Sequence, residues 1–329
     1  MTSNLKINIF FPFKDSAWGG GNQFLKALRK EFKFLNIYED IANKADVILF
    51  NSHQNLKSLV KLKKEFPSKI FIHRIDGPLY QIRNTDKKTD KLIYIINNII
   101  ADGTIFQSHW SKHENIKSGI KLSSYQKTII NAPDPDLFNT QEKKPFNKEN
   151  KIKLIATSWS ANPNKGFYFY QYLDENLDFF KYDMTFIGNS PLIFKNINKI
   201  EPLSSHNLSV KLKEYDIFIT ASKNDPCSNS LIEALHCGLP AVALNSGGHP
   251  EIIKKGGVLF NNKKDLIEKI NKIASNYTKY QKNIKVSSLH NTAKKYYNFC
   301  HYIFIQHQNN KYTPKRINFF QKLLLLGKL

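Results

Sequence analysis

The sequence runs to 329 residues and carries 49 lysines and arginines against 27 aspartates and glutamates, a formal charge of +22. That length suits about two domains, and 41% hydrophobic with 13% aromatic residues can bury a core in each, which excludes wholesale disorder. No apolar run reaches the roughly 18–20 residues of a membrane-spanning helix, and the apolar stretch Ile7 to Phe13 is too short for a signal peptide.

Short β-branched runs alternate with helical patterns, the signature of βα units and parallel sheets. In the first half, strands are expected at Ile7–Phe11, Val47–Phe50, Ile70–His73, Thr104–Phe106 and Thr128–Ile130. Helices are expected at Asn22–Phe34, Leu56–Phe66, Lys91–Ala101 and His109–Ser118. The pattern dissolves between Asn131 and Asn150, a plausible linker. A second series follows, with strands at Lys153–Ala156, Met184–Ile187, Ile217–Thr220, Ala241–Leu244 and Val258–Phe260. Its helices fit Phe167–Leu177, Leu208–Glu214, Asn229–Cys237 and Asp265–Asn276, and the last fifty residues read as helical without another strand. Two doubly wound α/β lobes result: residues 1–140, 141–295, and a helical tail 296–329 that packs on the first lobe or on a membrane. Cys227, Cys237 and Cys300 lack the spacing of a disulfide framework or zinc site, so a reducing cytoplasm is the expected compartment.

Ligands of open α/β sheets bind at the carboxyl ends of strands, which directs attention to the loops there. The strongest segment runs from Asp225 to Pro240: a strand, a polar loop, then a helix opening near Ser228 or Asn229. Ser228 suits an N-cap, Gly238 the C′ position, and Pro240 stops the helix. The N–H groups of Ser228, Asn229 and Ser230 at that helix start, with its dipole, suit a phosphate. Asp225 precedes the helix and Glu233 lies within the apolar run Leu-Ile-Glu-Ala-Leu, where an acid is rarely buried without reason.

Asp225 and Glu233, with seven residues between them, are followed by Ala-Leu-His-Cys-Gly-Leu-Pro and by Gly247-Gly248-His-Pro-Glu251. This pattern resembles the E-x7-E region of glycosyltransferase family 4, the retaining, nucleotide-sugar-dependent enzymes of GT-B fold. It departs from the family in having Asp as the first acid. The resemblance implies that Glu233 holds the nucleotide ribose and Asp225 contacts the donor sugar. Trp18-Gly19-Gly20-Gly21-Asn22 is similar to the family's glycine loop, with Gly20 and Gly21 on the phosphate side, although tight-turn geometry explains such a run equally well. His73, in Phe71-Ile-His73-Arg74-Ile-Asp76-Gly77-Pro78, stands where the family often has a cleft histidine; Arg74, Asp76 and Ser108 are further cleft candidates. Lys165-Gly166 is similar to the family's Lys-Gly after the first donor-lobe strand. The Arg that many members carry a few residues earlier is absent, replaced by Ser/Trp/Ser. The catalytic set is therefore His73, Lys165 and Asp225, with the leaving phosphate stabilised by Lys165 and helix N–H groups.

No cofactor is expected beyond a nucleoside-diphosphate sugar of UDP or GDP type as donor. No metal is required, because Asp134-Pro135-Asp136 reads as linker turn chemistry rather than a metal–diphosphate site. Glycan or lipid-linked molecules are the expected acceptors. The excess charge calls for an anionic partner. Lys26, Arg29, Lys30 and Lys33 share one helix face, as do Lys57, Lys61 and Lys64, and the segment Pro314 to Lys328 is basic and amphipathic. An anionic membrane surface on the cytoplasmic side fits these faces, with a solvated face as the plainer alternative. A nucleic-acid-binding protein would need exposed aromatics among the basic residues or a recognised module, and neither is present. A sugar-nucleotide-binding protein without activity is the remaining alternative, raised by Asp225 and the absent Arg.

Overall fold

The computed structural model describes residues 5–14 and 20–326. By internal packing the chain divides into two units. The first takes the chain up to Lys14, Leu25–Ile130 and Leu289 onward; the second takes the short stretch ending at Phe24 and Asn131–Ser288.

The first unit is built on β1 (Ile7–Phe10), α1 (Gly20–Phe34), β2 (Val47–Asn51), α2 (Leu56–Glu65), β3 (Ile70–Ile75), α3 (Leu79–Arg83), α4 (Lys88–Ile100), β4 (Gly103–Phe106), α5 (His109–Lys117) and β5 (Tyr125–Thr128). All strand pairs are parallel, in the order β1-β2-β3-β4-β5. Tyr38 bridges to Ile7 in parallel on the other side of β1. The winding therefore reverses at β1, although the reversing strand is reduced to a single bridge. Alternation along β3 sends Phe71 into a core with Ile48, Phe50, Leu59 and Ile96, while Ile72 lies on the opposite face.

The second unit contains β6 (Ile152–Ser158), α6 (Phe167–Asn176), β7 (Tyr182–Gly188), β8 (Asn198–Ile200), α7 (Ser205–Leu212), β9 (Ile217–Thr220), α8 (Asn229–His236), β10 (Ala241–Leu244), α9 (His249–Ile253), β11 (Gly257–Phe260), α10 (Lys263–Ser275) and α11 (Tyr277–Lys282). Its strand order is β11-β10-β9-β6-β7-β8, parallel throughout. The chain winds outward from β6 to β8, then returns to the other side of β6 and winds outward to β11. The topological switch point thus lies between β6 and β9, the place where such sheets bind ligands. The two sheets form an α/β GT-B fold.

Two strands differ from expectation. The fifth strand is Tyr125–Thr128, three residues before the expected Thr128–Ile130; it is an edge strand of polar, half-exposed residues, and the buried Ile129 follows it rather than belonging to it. The edge strand β8 carries only Asn-Lys-Ile, too short and polar to register as a pattern.

The chain ends with α12 (Leu289–Gln308) and α13 (Phe319–Leu326), both in the first unit. Phe299 and Ile303 of α12 sit where a Cβ on Gly103 would meet them, beside Ile72. Leu325 of α13 joins the core beneath α2 and α4, on the opposite face. The strap between these helices is fastened at Asp102. Its Oδ1 accepts from the Tyr312 hydroxyl and the Lys315 N–H, both at 2.8 Å. Its Oδ2 accepts from the Phe71 N–H at 2.7 Å and from the Lys63 ammonium at 3.4 Å. Lys63 and Asp102 are fully buried, so each makes the other tolerable.

Candidate active site

At the carboxyl edge of the second sheet, the loop after β6 is organised by its own side chains. Ser158 Oγ donates to the Ser160 carbonyl at 2.8 Å, and Asn162 Oδ1 accepts from the Asn164 N–H at 2.9 Å. A single 3₁₀ turn, Pro163–Lys165, ends at Gly166 with φ +74°. A Cβ there would strike the Ala221 carbonyl, so the glycine of Lys165-Gly166 has a packing reason. The Lys223 N–H donates to the Asn164 carbonyl at 2.7 Å, which joins this loop to the one after β9. As a result Lys165 Nζ lies 3.4 Å from Asp225 Oδ2, both partly exposed. An ion pair that open to water contributes at most about 1 kcal/mol to stability; what it secures is two opposite charges facing the switch point.

The loop 221–228 is shaped by close backbone approach. Asp225 Oδ1 accepts from the Cys227 N–H at 3.2 Å, and the Asp225 carbonyl accepts from the Gly248 N–H at 2.8 Å. Gly247 has φ +62°, and a Cβ on it would collide with the Asp225 backbone. Ser228 occupies the N-cap position of α8 but makes no capping hydrogen bond; its Oγ lies 3.3 Å from Ser230 Oγ. Asn229 Oδ1 accepts from Asn131 Nδ2 at 2.9 Å. Gly20, in the stretch that packs with this unit, abuts Asn229 so closely that a Cβ would clash, whereas Gly21 has open space. Trp18 and Gly19 lie outside the described residues. Gly238 takes the C′ position with φ +79°.

Glu233 is half-buried; its carbonyl accepts from the Cys237 N–H, but its carboxyl has no hydrogen-bond or ion-pair partner among the described residues. Burial alone pushes its carboxyl up to about 8. Such an arrangement is costly unless something binds there. A residue to which the sequence assigned no role joins the group: His249, at the start of α9, is fully buried. Its Nδ1 donates to the Leu244 carbonyl at 2.8 Å, which leaves Nε2 as the acceptor, without a hydrogen-bond partner among the described residues. Burial lowers its pKa, with Asp225 pulling up and Lys165 down. Its signal was the Gly247-Gly248-His249 sequence immediately after a strand.

The first-unit candidates belong to another sheet edge. His73 is fully enclosed: Nε2 donates to the Ser52 carbonyl at 2.9 Å, Nδ1 accepts from Asn97 Nδ2 at 3.2 Å, and the ring stacks on Phe50 at 4.2 Å. Burial pushes its pKa down to about 3, so it is a neutral core residue with both nitrogens engaged. Arg74 is fully buried and donates to Asn51 Oδ1 and, at 3.4 Å, to Asp76 Oδ1. Asp76 also accepts from Gln107. Ser108 is the buried N-cap of α5 and accepts from the Ser111 N–H at 2.9 Å. The structure thus brings Lys165, Gly166, Asp225 and His249 together at the switch point, sets Ser228–Ser230 at the start of α8 and Glu233 further along that helix, and gives His73, Arg74, Asp76 and Ser108 partners of their own within the first unit. Among the described residues no group of three or more His, Cys, Asp or Glu is arranged to hold a metal ion, and no helix is long and apolar enough to cross a membrane.

Residues 193–290 match the family described as glycosyl transferases group 1. The matched stretch contains Asp225, Glu233 and His249 but not Lys165. No curated protein matches the chain. Among solved structures, the Anabaena protein HepE in complex with UDP-glucose is 15% identical, with a TM-score of 0.63 over 93% of this chain and 99% of that one. Sucrose-phosphate synthase from Thermosynechococcus elongatus is 13% identical, with a TM-score of 0.66 over 98% and 100%. The catalytic domain of starch synthase IV from Arabidopsis thaliana, bound to ADP and acarbose, is 12% identical, with a TM-score of 0.60 over 88% and 79%. At these identities the likeness is one of fold.

Proposed function

We propose that the protein is a glycosyltransferase, moving a sugar from a nucleoside-diphosphate sugar of UDP or GDP type to a glycan or lipid-linked acceptor with retention of anomeric configuration. The observation that carries this reading is the switch point of the second sheet, where the Lys165–Asp225 pair lies in the loops that lead to an uncapped helix start, and that helix carries a carboxyl with no side-chain partner among the described residues. When the bond from the anomeric carbon to the phosphate oxygen breaks, negative charge grows on the leaving diphosphate. Lys165 and the N–H groups at the start of α8 oppose that charge without a metal. Asp225 orients the sugar and Glu233 accepts from the ribose hydroxyls. His73 has no contact role in this scheme, since both its nitrogens are engaged in the core.

One observation favours a second reading, a sugar-nucleotide-binding protein without turnover: the charge of Lys165 is already matched by Asp225. Incubation with a panel of UDP- and GDP-sugars separates the two. Release of nucleoside diphosphate that disappears in Asp225→Asn supports the enzyme. Saturable binding with no release supports the binder, and neither result with any donor removes both. For an active donor, NMR of the fresh product reports the anomer; an inverted product overturns retention.

A further inference from the structure

The positive charge is not spread evenly. The last acidic residue is Glu268, and from Lys269 to Leu329 the chain carries twelve lysines and arginines and not one aspartate or glutamate. More than half of the net charge therefore lies in the final fifth of the sequence. Within the first unit this acid-free stretch forms α12, the strap and α13. The Asp102 carboxylate and the burial of Leu325 fix the strap and α13 against the sheet, so the segment is part of the fold rather than a loose tail.

What it displays is unusual. Phe319 and Phe320 are 67% and 80% exposed, and Leu324 is 43% exposed. Next to them in sequence, Lys311, Arg316 and Lys322 are exposed as well, and none of these three has an ion-pair partner among the described residues. Two adjacent exposed phenylalanines on one short helix with an exposed leucine call for a partner in a way that single exposed rings do not. A ring pair flanked by unpaired cations matches the chemistry of an anionic bilayer, in which rings insert at the headgroup boundary and each nearby Lys or Arg adds attraction. A nucleic acid would be met by the same cations, but it stacks bases on flat aromatic platforms rather than on a short Phe-Phe-Leu helix edge.

We infer that the strap and α13 form a docking surface for an anionic lipid bilayer, with Phe319 and Phe320 entering the interface and Lys311, Arg316 and Lys322 on its headgroups. The inference stands apart from sugar transfer, because lipid binding is read with no donor present. Full-length protein is sedimented with vesicles of phosphatidylcholine alone or mixed with phosphatidylglycerol. The mixed vesicles should carry the protein down at low salt and release it at high salt. The double variant Phe319→Ser/Phe320→Ser should weaken partitioning roughly tenfold or more, and Arg316→Glu/Lys322→Glu by a similar factor. All four side chains are exposed, and unchanged melting temperatures confirm that the variants fold. Equal binding to both vesicle types, full binding by the Phe variant, or preferential capture of RNA in a competition would each overturn the inference.

Discussion

Replacing Glu233 by Gln should make the protein more stable and worse at holding its nucleotide, and the pH at which each effect is seen is fixed by the structure. The folded carboxyl titrates at about 8 against an ordinary 4.5, with burial as the cause. Between those values the folded protein keeps a proton that the unfolded chain has lost, so stability falls as pH rises through this window. The full shift, at about 1.4 kcal/mol per pH unit, sets an upper bound of about 5 kcal/mol. Glu233 is only half-buried by surface, which argues for discounting that to about 2 kcal/mol. Glu233→Gln should therefore match the wild type near pH 5 and melt about 4–8 °C higher at pH 9. Binding should move the other way. Hydrogen bonds to a charged acceptor contribute about 1.5–3 kcal/mol, so the variant should bind UDP or GDP roughly tenfold to a hundredfold more weakly at pH 9. The wild-type affinity should itself rise between pH 7 and 9 as the carboxylate forms. Melting curves and isothermal titration across that range measure both effects. A variant that is no more stable at pH 9, or that binds nucleotide as well as the wild type, refutes the reasoning.

Other outcomes follow from the same geometry. If Lys165 opposes the leaving phosphate as proposed, Lys165→Ala should lower turnover about 10²–10³-fold, with a stability change under about 1 kcal/mol because its ion pair is half-open to water; steady-state kinetics and denaturant titration separate the two. Gly166→Ala should cost about 1–3 kcal/mol, because a positive φ and contact with the Ala221 carbonyl leave no room for a Cβ; an unchanged denaturation midpoint would contradict this. His73, pushed down to about 3 by burial, binds no proton in the folded state where the unfolded chain would. Stability should therefore be full above about pH 6.5 and be lost as pH falls toward 3; His236, pushed down to about 4, adds the same sign, and denaturant titrations at pH 7, 5 and 4 should show the decline. Asp102→Ala should cost about 3–5 kcal/mol by leaving Lys63 buried without its carboxylate and freeing the strap, visible as a lower melting temperature and faster proteolysis after Gln308.

Much of the second unit was legible because β9 and β10 are short, buried, largely apolar runs and α8 carries its own stop at Gly238 and Pro240. Pairwise meetings across long sequence separations were not legible. Lys165 and Asp225 stand sixty residues apart, and only the strand order that sets β6 beside β9 brings them together. The first-unit histidine shows the opposite case. Alternation from Phe71 already put His73 on an inward face, and a polar residue there is more readily satisfied by neighbours such as Ser52 and Asn97 than kept for a ligand. His249 was hidden because a short helix opened by Gly-Gly leaves no periodic trace, and the reversing strand at Tyr38 because one bridge is too brief to pattern.

The central claim is that the switch point between β6 and β9 holds a nucleoside diphosphate. Hydrogen exchange of the full chain, with and without saturating UDP or GDP, tests it most directly. The account predicts slowed exchange in residues 164–167, 222–232 and 245–250. Protection confined to the ends of β2, β3 and β4, with these segments unchanged, would contradict it.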